Sequence, residues 1–359
     1  MVSPLIWAQD ARPAAVGKGH LAGGPGKGRL DGGPGVAPRS FYGVMAADDP
    51  TSAEAARMEE GGVGTLRINL VWAWVQPDSP TEFDWDHYDQ VIGDAALNGI
   101  RVLPTVYGSP RWAAIKQNYP PWQDNVNAFH AFAFAAAQRY GANGTFWSSH
   151  PEIPKLPVVW WQLWNEVSSS NFWDATPKAA EYVDLLRIFR DGIKEGDPGA
   201  RILLAGLFPT PIAPNSIPFK PYLRALYRRG AKPLFDGAAI HPYGATPLVS
   251  LQRIREMRRV MSRYGDNRTP IWVTEIGWAT NGLPSPVTVS PSDQEIYLVS
   301  TYRKLVAARE RLNIAGVVWF SFRDSGGTIW VENTGLLTEG LEAKPSWTGF
   351  ARLTGGSAG

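Results

Sequence analysis

From residue 41 onward, short apolar runs rich in β-branched and aromatic residues alternate with longer stretches in which apolar positions recur every three or four residues. The short runs are the pattern of buried strands, and the longer period is that of helices with one face turned to a core. Strands are predicted at 41–45, 65–71, 101–107, 158–165, 201–207, 237–241, 271–275 and 316–322. Helices fall between them at 52–60, 85–98, 125–140, 176–194, 218–229, 247–264 and 292–311, with a last short one after Pro345. Strict alternation of strand and helix builds a parallel sheet. Eight such units fit the α/β class and a single-domain (β/α)8 TIM barrel over residues 41–353, since that fold needs about 250 residues before loop insertions. A doubly wound sheet is the competing arrangement. The Gly-x-Gly-x-x-Gly turn of a dinucleotide-binding sheet is absent between the first strand and first helix, which favours the barrel.

The flanks follow a different pattern. Residues 1–40 are rich in Gly and Pro, with Gly-Gly-Pro-Gly at 23–26 and again at 32–35, and such a segment cannot bury enough surface to offset its ordering entropy. It is expected to be an extended or disordered leader, and residues 354–359 a short tail. Composition then narrows the function. Lys plus Arg number 35 against 33 Asp plus Glu, a formal charge of +2, far from the basic excess that nucleic acid selects. The chain has no Cys, which removes disulfides and thiolate chemistry. No apolar run approaches the roughly 18 residues of a membrane span. The first 15 residues show neither a basic n-region nor an apolar h-region, so the compartment is left open, secretion after loss of a signal peptide included. The five His show no His-x-His or His-Glu-x-x-His spacing, so neither a metal nor another cofactor is expected. Oligomeric state is not written in the sequence.

In a barrel of this kind the active site gathers at the C-terminal ends of the strands. Those ends are rich in polar and aromatic groups here: Arg67 and Asn69 on the second, Tyr107 on the third, Trp164-Asn165-Glu166 on the fourth, His241-Pro242-Tyr243 on the sixth, Thr274-Glu275-Ile276-Gly277-Trp278 on the seventh and Trp319 on the eighth. Glu166 and Glu275 close apolar strands, where an uncompensated carboxylate costs several kcal/mol. Strands four and seven face one another across a barrel mouth. Two carboxyl groups converging there to about 5 Å suit glycosidic cleavage with retention, one as nucleophile and the other as acid and then base. An ionised nucleophile, held so by Arg67, raises the pKa of its neighbour and keeps that neighbour protonated for the leaving oxygen.

These residues resemble the signature of the clan of (β/α)8 retaining glycoside hydrolases that includes families 5, 10 and 39, over residues 41 to about 350. The segments Phe83-Asp84-Trp85, Gly108-Ser109-Pro110 with Trp112, and His241-Pro242-Tyr243 are most similar to family 39 and its bacterial relatives. The resemblance implies Glu166 as acid/base, Glu275 as nucleophile and Asn165 on the sugar 2-hydroxyl. It also implies that Arg67 and Tyr243 bond the nucleophile, that His241 lines the same subsite, and that Trp319 is its platform. Tyr107 and Trp278 are further candidates for sugar contact. The implied partner is a carbohydrate, with no cofactor. A transglycosylase using the same residues, or a sugar-binding barrel without catalysis, are the alternatives.

Overall fold

The computed structural model describes residues 37–46, 48–173, 176–209 and 213–359. The expected leader therefore lies outside the described residues as far as residue 36. Ala37 is already buried, and Arg39 donates from Nε to the Val63 carbonyl at 3.2 Å.

Eight parallel strands follow: β1 (Tyr42–Met45), β2 (Thr65–Val71), β3 (Arg101–Tyr107), β4 (Trp160–Leu163), β5 (Arg201–Leu203), β6 (Ala238–Ile240), β7 (Ile271–Ile276) and β8 (Ile314–Phe320). Their order is β5-β4-β3-β2-β1-β8-β7-β6, and bridges Leu203 to Gly237 and Leu207 to Ile240 join the two ends. The sheet is thus a (β/α)8 barrel, as the alternation predicted. Strands β4, β5 and β6 are shorter than expected, because their C-terminal residues leave the regular ladder and turn into the mouth. Trp164 and Glu166 have φ of 64° and 40°, and residues 165, 206 and 207 pair only through isolated bridges.

The helices sit where the polar and capping residues put them. Thr51 and Glu54 form a reciprocal capping box before Ser52–Glu60, and Ser290 accepts from the Asp293 amide to start Pro291–Leu312. Outward strand residues such as Leu66, Ile68 and Leu70 pack beneath the helices in the main core. The inward positions are layered. Leu103, Leu203, Ala239 and Trp272 fill the barrel floor, while Arg67, Gln162 and Thr105 form a buried polar layer above it. That layer lies directly under the two carboxylates. Among the described residues, no helix is long and apolar enough to cross a membrane.

Candidate active site

Strand β2 points Arg67 into the barrel, and its guanidinium organises the mouth. Nε donates to Gln162 Oε1 at 3.0 Å, Nη2 to Asn165 Oδ1 at 3.0 Å, and Nη1 to Glu275 Oε1 at 2.7 Å. Gln162 is itself fixed, donating to the Leu204 carbonyl at 3.1 Å and accepting from Thr105. A fully buried cation is tolerable because its donors are met by a carboxylate and two amide oxygens. The Arg67 bond fixes the Asn165 amide with its oxygen toward the guanidinium.

Glu275 receives a second donor, the Tyr243 hydroxyl, at 3.0 Å on Oε2. Its pKa is raised by burial, against the opposing pull of Arg67 and Tyr243. Glu166 has no such guanidinium bond. Burial first, and then the charge of Glu275, push its pKa well above the usual carboxylate range. One carboxyl is thus supported as an anion and the other as an acid. His241 stands between them, its Nδ1 2.8 Å from Glu166 Oε1 and 3.4 Å from Glu275 Oε2. Burial, and next the charge of Arg67, depress its pKa well below the usual value, which favours the neutral imidazole.

Glu166, His241 and Glu275 offer one nitrogen and two carboxylate oxygens all within 4.8 Å of one another, the spacing of a metal site among the described residues. A cation there would compete with the His241 N–H for both carboxylates and sit beside the Arg67 guanidinium. The donor set suits proton transfer better than metal binding.

The predicted site residues divide into two groups. Arg67, Asn165, Glu166, His241, Tyr243 and Glu275 come together in one hydrogen-bonded cluster. Tyr107 ends β3 packed edge-on against Trp164, its hydroxyl pKa raised by burial. Trp319 and Trp278 are elsewhere. Both are fully buried in the layer between sheet and helices, 6.0 Å apart, with their indole N–H groups spent on the Thr334 and Gly244 carbonyls. The inner face at this level is occupied by the next residue. Phe320 pairs in register with Met45 and packs with Met45 and Tyr243 on the inner face, and the Phe320–Ser321 peptide is cis. Strand parity is the signal that separates them, since Trp319 and Phe320 must face opposite sides. Trp330 and Phe208, both half-buried, flank Tyr243 at ring distances of 5.0 and 5.7 Å. Gln162 and Met45, the latter 2.8 Å from Arg67 through its sulfur, join the cluster without any local signal in the sequence.

No protein-family model and no curated protein matches the sequence. Solved structures do share the fold. A family 39 glycoside hydrolase from the gut symbiont Bacteroides cellulosilyticus WH2 superposes with a TM-score of 0.66 at 22% identity, over 88% of this chain and 63% of its own. A monomeric β-xylosidase from Caulobacter crescentus CB15 gives 0.60 at 16% identity, over 87% and 68%. A family 5 enzyme from Streptomyces cattleya in complex with Manβ1-4GlcNAc gives 0.63 at 17%, over 84% and 74%. The chain therefore spans about 63% of the length of the first of these. At such identities the likeness establishes the barrel, the fold expected from the sequence resemblance.

Proposed function

We propose that the protein is a retaining glycoside hydrolase that cleaves carbohydrate by double displacement, with Glu275 as nucleophile and Glu166 as acid/base. The observation that carries this is the pair itself. Two buried carboxylates at the ends of β4 and β7 have oxygens within 4.8 Å, and only one of them is bonded to a guanidinium. That spacing suits direct attack, whereas inversion needs roughly 6.5 to 9.5 Å to admit a water. Glycoside hydrolases of families 39 and 5 among the solved structures of this fold support the same class.

The steps follow from the charges. Glu275, held by Arg67 and Tyr243, attacks the anomeric carbon while Glu166 gives its proton to the departing oxygen. Ester formation removes the negative charge of Glu275, so the pKa of Glu166 falls. Glu166 then takes a proton from water as that water attacks the glycosyl ester and releases Glu275. Asn165 and the inner-face ring of Phe320 are assigned to holding the sugar.

The test is hydrolysis of a panel of aryl glycosides by wild type and Glu275→Gly, with and without azide. Turnover of one glycoside, loss in the variant, and rescue by azide as a glycosyl azide of inverted configuration are expected. A variant as active as wild type would sink the assignment.

A further inference from the structure

His241 reaches both carboxylates because of what lies beneath its ring. Gly206 follows β5, bridged to Asn165 on one side, and the next residue, Leu207, accepts from the His241 amide at 3.0 Å on the other. It is therefore wedged between the strand that ends in Glu166 and the strand that ends in His241. A Cβ built on Gly206 would lie 1.9 Å from His241 Nε2, 2.4 Å from Cδ2 and 2.6 Å from Cε1. It would meet three atoms of a buried ring, which cannot swing into solvent. The backbone of Gly206 is not among those with positive φ. Space, rather than a left-handed conformation, is what requires a glycine here.

The same contact bears on the proton. Nε2 is buried against Gly206 with no hydrogen-bond partner among the described residues. A neutral imidazole carries one N–H, and it goes to the nitrogen that has an acceptor. Nδ1 has one in Glu166 Oε1 at 2.8 Å, with Glu275 Oε2 close by at 3.4 Å. The groups that face the ring are these two carboxylates from β4 and β7, the Arg67 charge from β2 and the Tyr243 ring from its own loop.

We infer that Gly206 is a positioning residue for the acid/base pair, its missing side chain letting the His241 ring lie over β5 so that Nδ1–H points between Glu166 and Glu275. The inference rests on the glycosidase reading for its kinetic consequence, and on geometry alone for the imidazole. A methyl group at 206 pushes the ring upward and breaks the 2.8 Å bond to Glu166. A misplacement of about 1 Å in such a group costs about 100-fold in rate. Losing a donor to its carboxylate raises the pKa of Glu166, which moves the alkaline limb of the kcat/KM profile to higher pH.

The experiment is a double-mutant cycle on Gly206→Ala and His241→Ala, measured on an aryl glycoside the wild type cleaves, with thermal melts as a control for folding. Gly206→Ala in wild type is expected to lose about 100-fold in kcat/KM, with the alkaline limb raised. In the His241→Ala background, where the ring no longer fills the space, the same change is expected to cost almost nothing. Equal losses in both backgrounds overturn the proposal, since Gly206 would then serve the barrel alone. Nitrogen NMR of the wild-type imidazoles, with the His241 signals assigned by their loss in His241→Ala, reads the geometry without any activity. The proposal requires a neutral ring protonated at Nδ1 near neutral pH, and a proton on Nε2 overturns it. A wild type inert on every glycoside would count against the glycosidase reading, whereas His241 nitrogen signals unchanged between wild type and Gly206→Ala would overturn the role of Gly206.

Discussion

Arg67 donates to Glu275 at 2.7 Å and has no bond to Glu166, so that, together with the Tyr243 hydroxyl on Glu275, the two buried carboxyls differ in the donors that support a negative charge. Both are buried at strand ends, with His241 bonded to Glu166 at 2.8 Å and 3.4 Å from Glu275. The guanidinium and the Tyr243 hydroxyl break the symmetry.

Replacing that charge tests the division. Arg67→Met is expected to lower kcat/KM by about 10²- to 10³-fold, the usual effect of removing one electrostatic support in an enclosed site. The pKa of Glu275, already raised by burial, rises further without Arg67, so the acid limb of the pH profile moves up. Stability changes in the same sense. A carboxyl whose folded pKa exceeds its unfolded value contributes stability at low pH and loses it as pH rises through the folded value. Chemical denaturation at pH 5 and pH 8 is therefore expected to show a larger deficit at pH 8. A deficit independent of pH would mean that Arg67 acts through packing alone.

Glu166 makes the complementary prediction. Its folded pKa is raised well above the ordinary range by burial and by Glu275, so the wild type loses stability as pH rises through that value. Gln does not titrate. Glu166→Gln is expected to melt about 2 °C or more above wild type at pH 8, with the difference shrinking toward pH 4. Hydrolysis of substrates with poor leaving groups should fall by about 10²- to 10⁴-fold, while dinitrophenyl glycosides, which need no proton, lose far less. Equal losses on both kinds of leaving group would remove the acid role from Glu166.

The two neighbouring aromatics on β8 separate site from scaffold. Phe320 faces Met45 and Tyr243 inside the barrel, whereas Trp319 lies under the helices with its N–H on the Thr334 carbonyl. Trp319→Ala is expected to cost about 3–5 kcal/mol of stability, the usual penalty for a large core ring. Its folded fraction should keep the wild-type kcat/KM. Phe320→Ala should instead lower kcat/KM of correctly folded enzyme by about tenfold or more, as a change in transition-state contact. The reverse pattern would restore Trp319 as the sugar platform.

The barrel was legible in the sequence because its signals are local. Strands β2 and β3 match their predicted limits, as does the helix Ser52–Glu60, since apolar periodicity and a capping box depend only on near neighbours. The carboxylates were legible for the same reason, as charged residues ending apolar runs on strands a barrel sets opposite one another. What the sequence could not express was contact across the interior. The Arg67 network joins residues 95 to 208 positions apart, through Gln162 and Asn165 to Glu275. Which member of the pair Trp319 and Phe320 faces inward depends on the register of β8 against β1, and Met45 opposite Phe320 fixes it. The glycine at 206 carries no local signal, because its backbone is ordinary and the ring it accommodates belongs to another strand. Local pattern determined the elements and named the two carboxyls; packing across the barrel decided which of them Arg67 bonds, the imidazole beside them and the ring that faces the mouth.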